Sequence, residues 1–141
     1  MNWKERFIQL AKHISLWSKD PSTKVGAVIV DSKNRIISTG FNGLPRGVTD
    51  THERLNNREL KYPRIVHAEM NAILNAKSSV EGCTLYVFPI PPCSECAKAI
   101  IQAGIKKVIF RDYGGGVEKW SESFMVSKEM FEESGVKVEN F

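Results

Sequence analysis

At 141 residues and 42% hydrophobic composition, the chain has the size and apolar content of one folded domain spanning residues 1–141, which excludes a disordered ground state. Its 20 Lys and Arg against 16 Asp and Glu give a net charge of +4 with no block of like charge, a pattern that argues against a nucleic-acid tract and suits a small anion held by one or two placed cations. Three cysteines, an odd number, fit a reducing compartment, and the charged start Met1-Asn2-Trp3-Lys4-Glu5-Arg6 leads into no long apolar run, so a cytoplasmic chain with no membrane or nucleic-acid partner is expected.

Trp3, Phe7, Leu10, Ile14 and Trp17 fall at helical spacing with Lys4, Glu5, Lys12 and Ser15 opposite, so the first element is an amphipathic helix over 3–17 whose stripe faces the core. Ser18-Lys19-Asp20-Pro21 ends it, because Pro21 restricts Asp20 and cannot continue the helix. The β-rich runs 25–30 and 35–41 flank the turn residues 31–34 and read as a hairpin. Two glycines and a proline in 41–47 make a loop that either lets backbone approach a ligand or only turns the chain. Residues 48–63 are polar, with Leu55, Leu60 and Tyr62 too sparse for a core stripe; a long functional loop with room for one short helix is expected.

A helix starting at His67 ends before Ser78, followed by the strand Thr84–Phe88, a proline-stiffened approach over 89–92, and a helix from Cys93 to Ala103 that stops at Gly104. Lys107–Phe110 reads as a buried strand and Gly114-Gly115-Gly116 as a connection. A helix over Ser121–Ser134 carrying Phe124, Met125, Met130 and Phe131 ends at Gly135, before a short strand over 136–138. Alternating strands and helices require right-handed crossovers. The fold class is therefore α/β, a three-layer α/β/α sandwich over a mixed five-stranded sheet.

Two groups of metal-ligand residues flank the strand 84–88: His67-Ala68-Glu69 and Pro92-Cys93-Ser94-Glu95-Cys96. Cysteines three apart near a helix start share a face and chelate one ion; with His67 they make three ligands, which leaves a tetrahedral zinc one open position, the mark of a catalytic site. Glu69 is then free to move protons. Cys83 could complete a closed Cys₃His site, but it starts a strand away from both groups and reads as a small buried hydrophobe. His13, His52, Glu95 and Lys98 read as solvated or locally satisfied; Phe88 and Tyr113 either stack on a base or pack.

H-x-E followed by P-C-x-x-C is the known signature of zinc-dependent nucleobase deaminases, and the resemblance extends further. Through Ser18-Lys19-Asp20-Pro21, Val25-Gly26-Ala27, Gly40-Phe41-Asn42-Gly43-Leu44-Pro45, Tyr62-Pro63, His67-Ala68-Glu69-Met70-Asn71-Ala72-Ile73 and Pro92-Cys93-Ser94-Glu95-Cys96-Ala97, the chain resembles the deoxycytidylate (dCMP) deaminases of the cytidine-deaminase-like superfamily. The match runs from about residue 3 to residue 110. Phe41 stands where many members have Tyr or Trp, and the loop 48–63 leaves no room for the extra zinc-binding insertion of some phage members.

The resemblance implies a cytidine deaminase-like fold and zinc-dependent conversion of dCMP to dUMP and ammonia, which supplies dUMP for thymidylate synthesis. It implies that Zn²⁺ is held by His67, Cys93 and Cys96, that Glu69 shuttles protons, that the Ala68 amide meets the base carbonyl, and that Asn42 holds the sugar. Lys24, Ser22 and Arg46 are candidate 5′-phosphate contacts, with Tyr113 also a candidate at the substrate. The family further implies allosteric control by dCTP and dTTP with Mg²⁺, and a homo-oligomer, a hexamer, in the cytoplasm or in a host's cytoplasm if the chain is viral. Three alternatives stay open: a tRNA adenosine deaminase, a dCMP deaminase that also accepts dCTP, and a non-catalytic zinc-stabilised binding module, in which Glu69 would have no role.

Overall fold

The computed structural model describes residues 1–112 and 122–141. Helix α1 (Trp3–Ser15) begins at Asn2, whose side chain accepts from the Glu5 amide, and leads to β1 (Gly26–Val30) and β2 (Ile36–Phe41). Two short helices, α2 (His52–Asn56) and α3 (Arg58–Lys61), precede α4 (Ala68–Asn75) and β3 (Thr84–Phe88). The chain continues through α5 (Ser94–Gln102), β4 (Lys107–Phe110), α6 (Glu122–Ser134) and β5 (Lys137–Asn140).

The five strands form one sheet in the order β2-β1-β3-β4-β5. β1 pairs antiparallel with β2 and β3, whereas β3, β4 and β5 run parallel, so the mixed sheet changes character at β3. Alternate residues of the central strands serve two layers. Val28, Val30, Tyr86, Phe88 and Ile109 pack under α1 through Phe7, Ile8 and Ala11. Ala27, Ile29, Leu85, Val87, Val108 and Phe110 pack against α4, α5 and α6, completing the α/β/α sandwich.

Glycine sets how closely the helices approach. A Cβ on Gly26 would overlap the Ala11 carbonyl and the Ser15 amide of α1, and one on Gly40 would overlap the Ala68 carbonyl and the Ala72 amide of α4. The resulting contact of α4 with β2 is fixed by three side chains: Ser38 Oγ donates to the Ala72 carbonyl at 2.6 Å, Asn71 Nδ2 to the Phe41 carbonyl at 2.8 Å, and Asn75 Nδ2 to the Thr39 carbonyl at 3.2 Å.

Several expectations need correction. The buried stripe of α1 is Phe7, Ile8, Ala11, Ile14 and Ser15, rotated from the predicted one, and Trp3 and Trp17 are half exposed at 50% and 54%. Trp3 instead stacks on Phe7, and Trp17 meets the edge of Phe41 beyond the end of the helix. Residues 48–63 hold two short helices where one was expected; the caps Thr51 and Asn57, whose side chains accept from backbone amides, mark both starts. The last strand is Lys137–Asn140, later than predicted. The expected connection at Gly114–Gly116, the position of Tyr113 and the Ser121 start of α6 lie outside the described residues. No helix among the described residues is long and apolar enough to cross a membrane.

Candidate active site

The N-terminal ends of two helices, α4 and α5, meet beside the end of the sheet where β1 begins and β3 finishes. His67 is the N-cap residue of α4 and Cys93 that of α5, both in extended backbone, so their side chains leave the helix starts while Glu69 and Cys96 project from the first turns. His67 Nδ1 lies 3.3 Å from Cys93 Sγ and 3.4 Å from Cys96 Sγ, and the three ligand atoms all fall within 4.8 Å of one another. Tetrahedral bonds of about 2.3 Å to sulfur and about 2.0 Å to nitrogen put N···S at roughly 3.5 Å, so this donor set fits zinc. Among the described residues it is the one such group of three or more. Cys83 is buried in the core under α5 and stands apart from it.

The electrostatics favour negative charge on one of the two sulfurs. A hydrogen bond from Cys96, then one with His67, pull the Cys93 thiol down to about 4, while holding that proton towards Cys93, together with burial, pushes Cys96 up. The Cys93 thiolate in turn raises His67. Glu69, 4% exposed, is pushed up to about 7, chiefly by burial, with the His67 charge opposing. A carboxyl of that kind exchanges protons at neutral pH.

These groups open onto a cavity of about 520 Å³, a volume suited to a small molecule. His67, Ala68, Glu69 and Cys93 line its chemical end, with Asn42 and Val25 beside them. Asp20, Ser22 and Thr23 line it with Arg58, Lys61 and Tyr62, and Ile90, Pro91 and Phe124 add apolar surface.

Of the predicted residues, the cavity gathers Ser22, Asn42, His67, Ala68, Glu69 and Cys93, with Cys96 in the ligand cluster behind them. It leaves out two. The Lys24 ammonium donates to the Ser18 carbonyl, and Arg46 Nη2 reaches Asn75 Oδ1 at 3.3 Å on the exposed face of α4, so neither lines the cavity. Asn42 also holds the local backbone together, since its Oδ1 accepts from the Val25 amide at 2.9 Å and its Nδ2 donates to the Thr23 carbonyl at 2.9 Å.

Sequence reasoning missed Asp20, Arg58 and Lys61 as site residues. Asp20 Oδ1 accepts from the Ser22 amide at 2.8 Å and pairs with Lys61 Nζ at 3.1 Å, and Lys61 also donates to Ser22 Oγ at 3.3 Å. This buried pair ties α3 to the loop after α1. Lys61 sits in a polar stretch and Asp20 read as a helix stop, so no local pattern marked either as a site residue.

The zinc-binding region of cytidine and deoxycytidylate deaminases matches residues 1–112. An uncharacterized deaminase in the luxG 3′ region of Aliivibrio fischeri is 48% identical over 137 residues, covering 96% of this chain and 91% of that one. The deoxycytidylate deaminase of Mus musculus is 42% identical over 149 residues, covering 100% of this chain and 80% of its own. In three dimensions the chain is similar to the dCMP deaminase of cyanophage S-TIM5 in complex with dCMP and dUMP, with a TM-score of 0.76, 31% identity, and coverage of 98% and 96%.

Proposed function

The chain belongs to the cytidine and deoxycytidylate deaminase family, and on that premise we propose that it hydrolyses dCMP to dUMP and ammonia with zinc held by His67, Cys93 and Cys96. The observation that carries this reading is Glu69: a buried carboxyl facing the cavity, beside three metal-ligand atoms but not one of them, with its pKa pushed up to about 7.

Zinc held by these three residues would lower the pKa of water to about 7 and so supply a nucleophile at neutral pH. Glu69 handles the protons. Its carboxylate takes one from the water as oxygen adds to C4 of cytosine and gives it to N3; it then takes the second from the new C4 hydroxyl and gives it to the amine. The C4–N bond breaks, ammonia leaves, and Glu69 returns to its starting state. The amide of Ala68, first residue of α4, donates to the base carbonyl at the positive end of the helix. Asn42 takes the sugar and Ser22 the phosphate in this reading, and both line the cavity.

The same resemblance supports finer points: a homo-oligomer, a hexamer, regulated by dCTP and dTTP with Mg²⁺, in the cytoplasm of a cell or host. Sedimentation with and without these nucleotides tests the assembly and its regulation.

The reaction is tested by ammonia release from dCMP, deoxycytidine, dCTP and an anticodon stem-loop RNA. A charged hydrogen bond to phosphate contributes about 1.5 to 3 kcal/mol, so dCMP should exceed deoxycytidine by about tenfold or more in kcat/KM. Equal values for the two would make the protein a nucleoside deaminase, and release from the RNA alone would make it a tRNA adenosine deaminase.

A further inference from the structure

Among the described residues two Lys or Arg side chains line the cavity, Arg58 and Lys61 at either end of α3, and their circumstances differ. Lys61 is already neutralised. Its ammonium pairs with Asp20 at 3.1 Å, and both side chains are 6% exposed. A phosphate brought to Lys61 would also meet the Asp20 carboxylate, so the pair offers an anion little net attraction. Arg58 forms no ion pair with a carboxylate among the described residues. Its guanidinium carbon stands 5.5 Å from the centroid of the Tyr62 ring, and Tyr62 is 61% exposed at the cavity rim.

We infer that Arg58, steadied on Tyr62, is the residue that reads the 5′-phosphate and so selects nucleotide over nucleoside. The inference rests on the dCMP reading above and adds its specificity determinant. The contact with the ring restricts the guanidinium plane while leaving an N–H edge for two phosphate oxygens, a bidentate grip that a lysine cannot reproduce. Arg58 and Glu69 border the same cavity, so one ligand can offer its base to Glu69 and its phosphate to the rim. Lys61 is a positioning residue: its bonds to Asp20 and Ser22 anchor the far end of α3 and hold Arg58 in place, while Asn57 caps the near end.

The test uses the zinc-loaded protein with Arg58→Gln, Arg58→Lys and, as a control away from the cavity, Arg46→Gln. Two readings are taken on each preparation: kcat/KM for dCMP and for deoxycytidine, and calorimetric affinity for dUMP and for deoxyuridine. Arg58→Gln should lower the dCMP-to-deoxycytidine ratio by about tenfold or more, mainly through KM, and lower the dUMP preference to match. Arg58→Lys should recover only part of it, and Arg46→Gln should stay within about twofold of wild type. If Arg58→Gln keeps both ratios, or Arg46→Gln loses as much, the inference is overturned, while turnover of dCMP by the wild type leaves the deaminase reading intact. If the wild type releases no ammonia from dCMP yet binds dUMP in an Arg58-dependent way, the deaminase reading fails and the phosphate assignment stands.

Discussion

Burial strips Glu69 of the hydration that would keep a carboxylate charged, and so leaves it close to balance between its two forms at neutral pH. The substitution Glu69→Gln keeps the volume and much of the hydrogen bonding but can neither accept nor return a proton. General acid–base steps contribute typically 10²- to 10⁴-fold, and Glu69 serves at more than one, so turnover should fall by at least about 10³-fold while zinc content and dUMP affinity persist. Ammonia release, elemental analysis and calorimetry on one preparation decide it; substantial turnover with full zinc would remove Glu69 from the mechanism. These ligand and proton-transfer residues are legible in the sequence because their chemistry depends on local spacing, H-x-E and C-x-x-C. Arg58 and Lys61 are not, since a charge in a polar stretch looks like any solvated one, and the partner that buries Lys61 lies 41 residues away.

At the level of elements, catalysis depends on where α4 lies across β2, and Gly40 sets that distance. Gly40→Ala would drive a methyl group into the Ala68 carbonyl and the Ala72 amide, backbone atoms that cannot turn aside, so the helix itself must move. Overpacking of this kind costs about 1 to 3 kcal/mol, and a displacement near 1 Å at Glu69 costs on the order of 10²-fold in rate. Thermal melting and ammonia release should therefore both fall; a Gly40→Ala protein with wild-type melting and turnover would show that α4 does not need this approach. The strands and main helices are readable from alternation and helical period because each packs one face on the core. What period could not supply was the rotation of α1, since Trp3 and Trp17 extend an apolar stripe past the sheet that it covers, and the close contact at Gly40, which joins residues distant in sequence.

Across the whole molecule, side-chain ties join parts of the chain that sequence keeps apart, and two of them carry predictions. Lys4 of α1 donates to both carboxylate oxygens of Glu139 in β5 at 2.9 Å, linking the two ends of the fold, and this holds Glu139 below its ordinary 4.5. A depressed carboxyl pKa means that the contribution is present above about pH 4.5 and is lost as pH falls through the folded value. Glu139→Gln should thus lower the stability read from urea unfolding slightly at pH 7, by less than about 1 kcal/mol for so exposed a pair, with the loss shrinking as pH falls through the folded value; a loss that does not change with pH would mean that the side chain acts through packing. The second tie is the ligand cluster, which joins the start of α4 to the start of α5 across 26 and 29 residues. Zinc bound only by the folded chain stabilises it by RT ln(1 + [L]/Kd), about 2.7 kcal/mol when free metal stands at about a hundred times Kd. Chelation should lower the melting temperature and added zinc should restore it in a concentration-dependent way. Cys93→Ser or Cys96→Ser should melt low and no longer respond to zinc, because a neutral hydroxyl replaces a thiolate. Cys83→Ala, altered in the core but outside the cluster, should keep the full response even if its baseline falls. The size of the zinc-induced shift separates the two roles that a buried cysteine can have, and loss of that shift in Cys83→Ala would mean that a fourth protein ligand closes the site and no position remains for water.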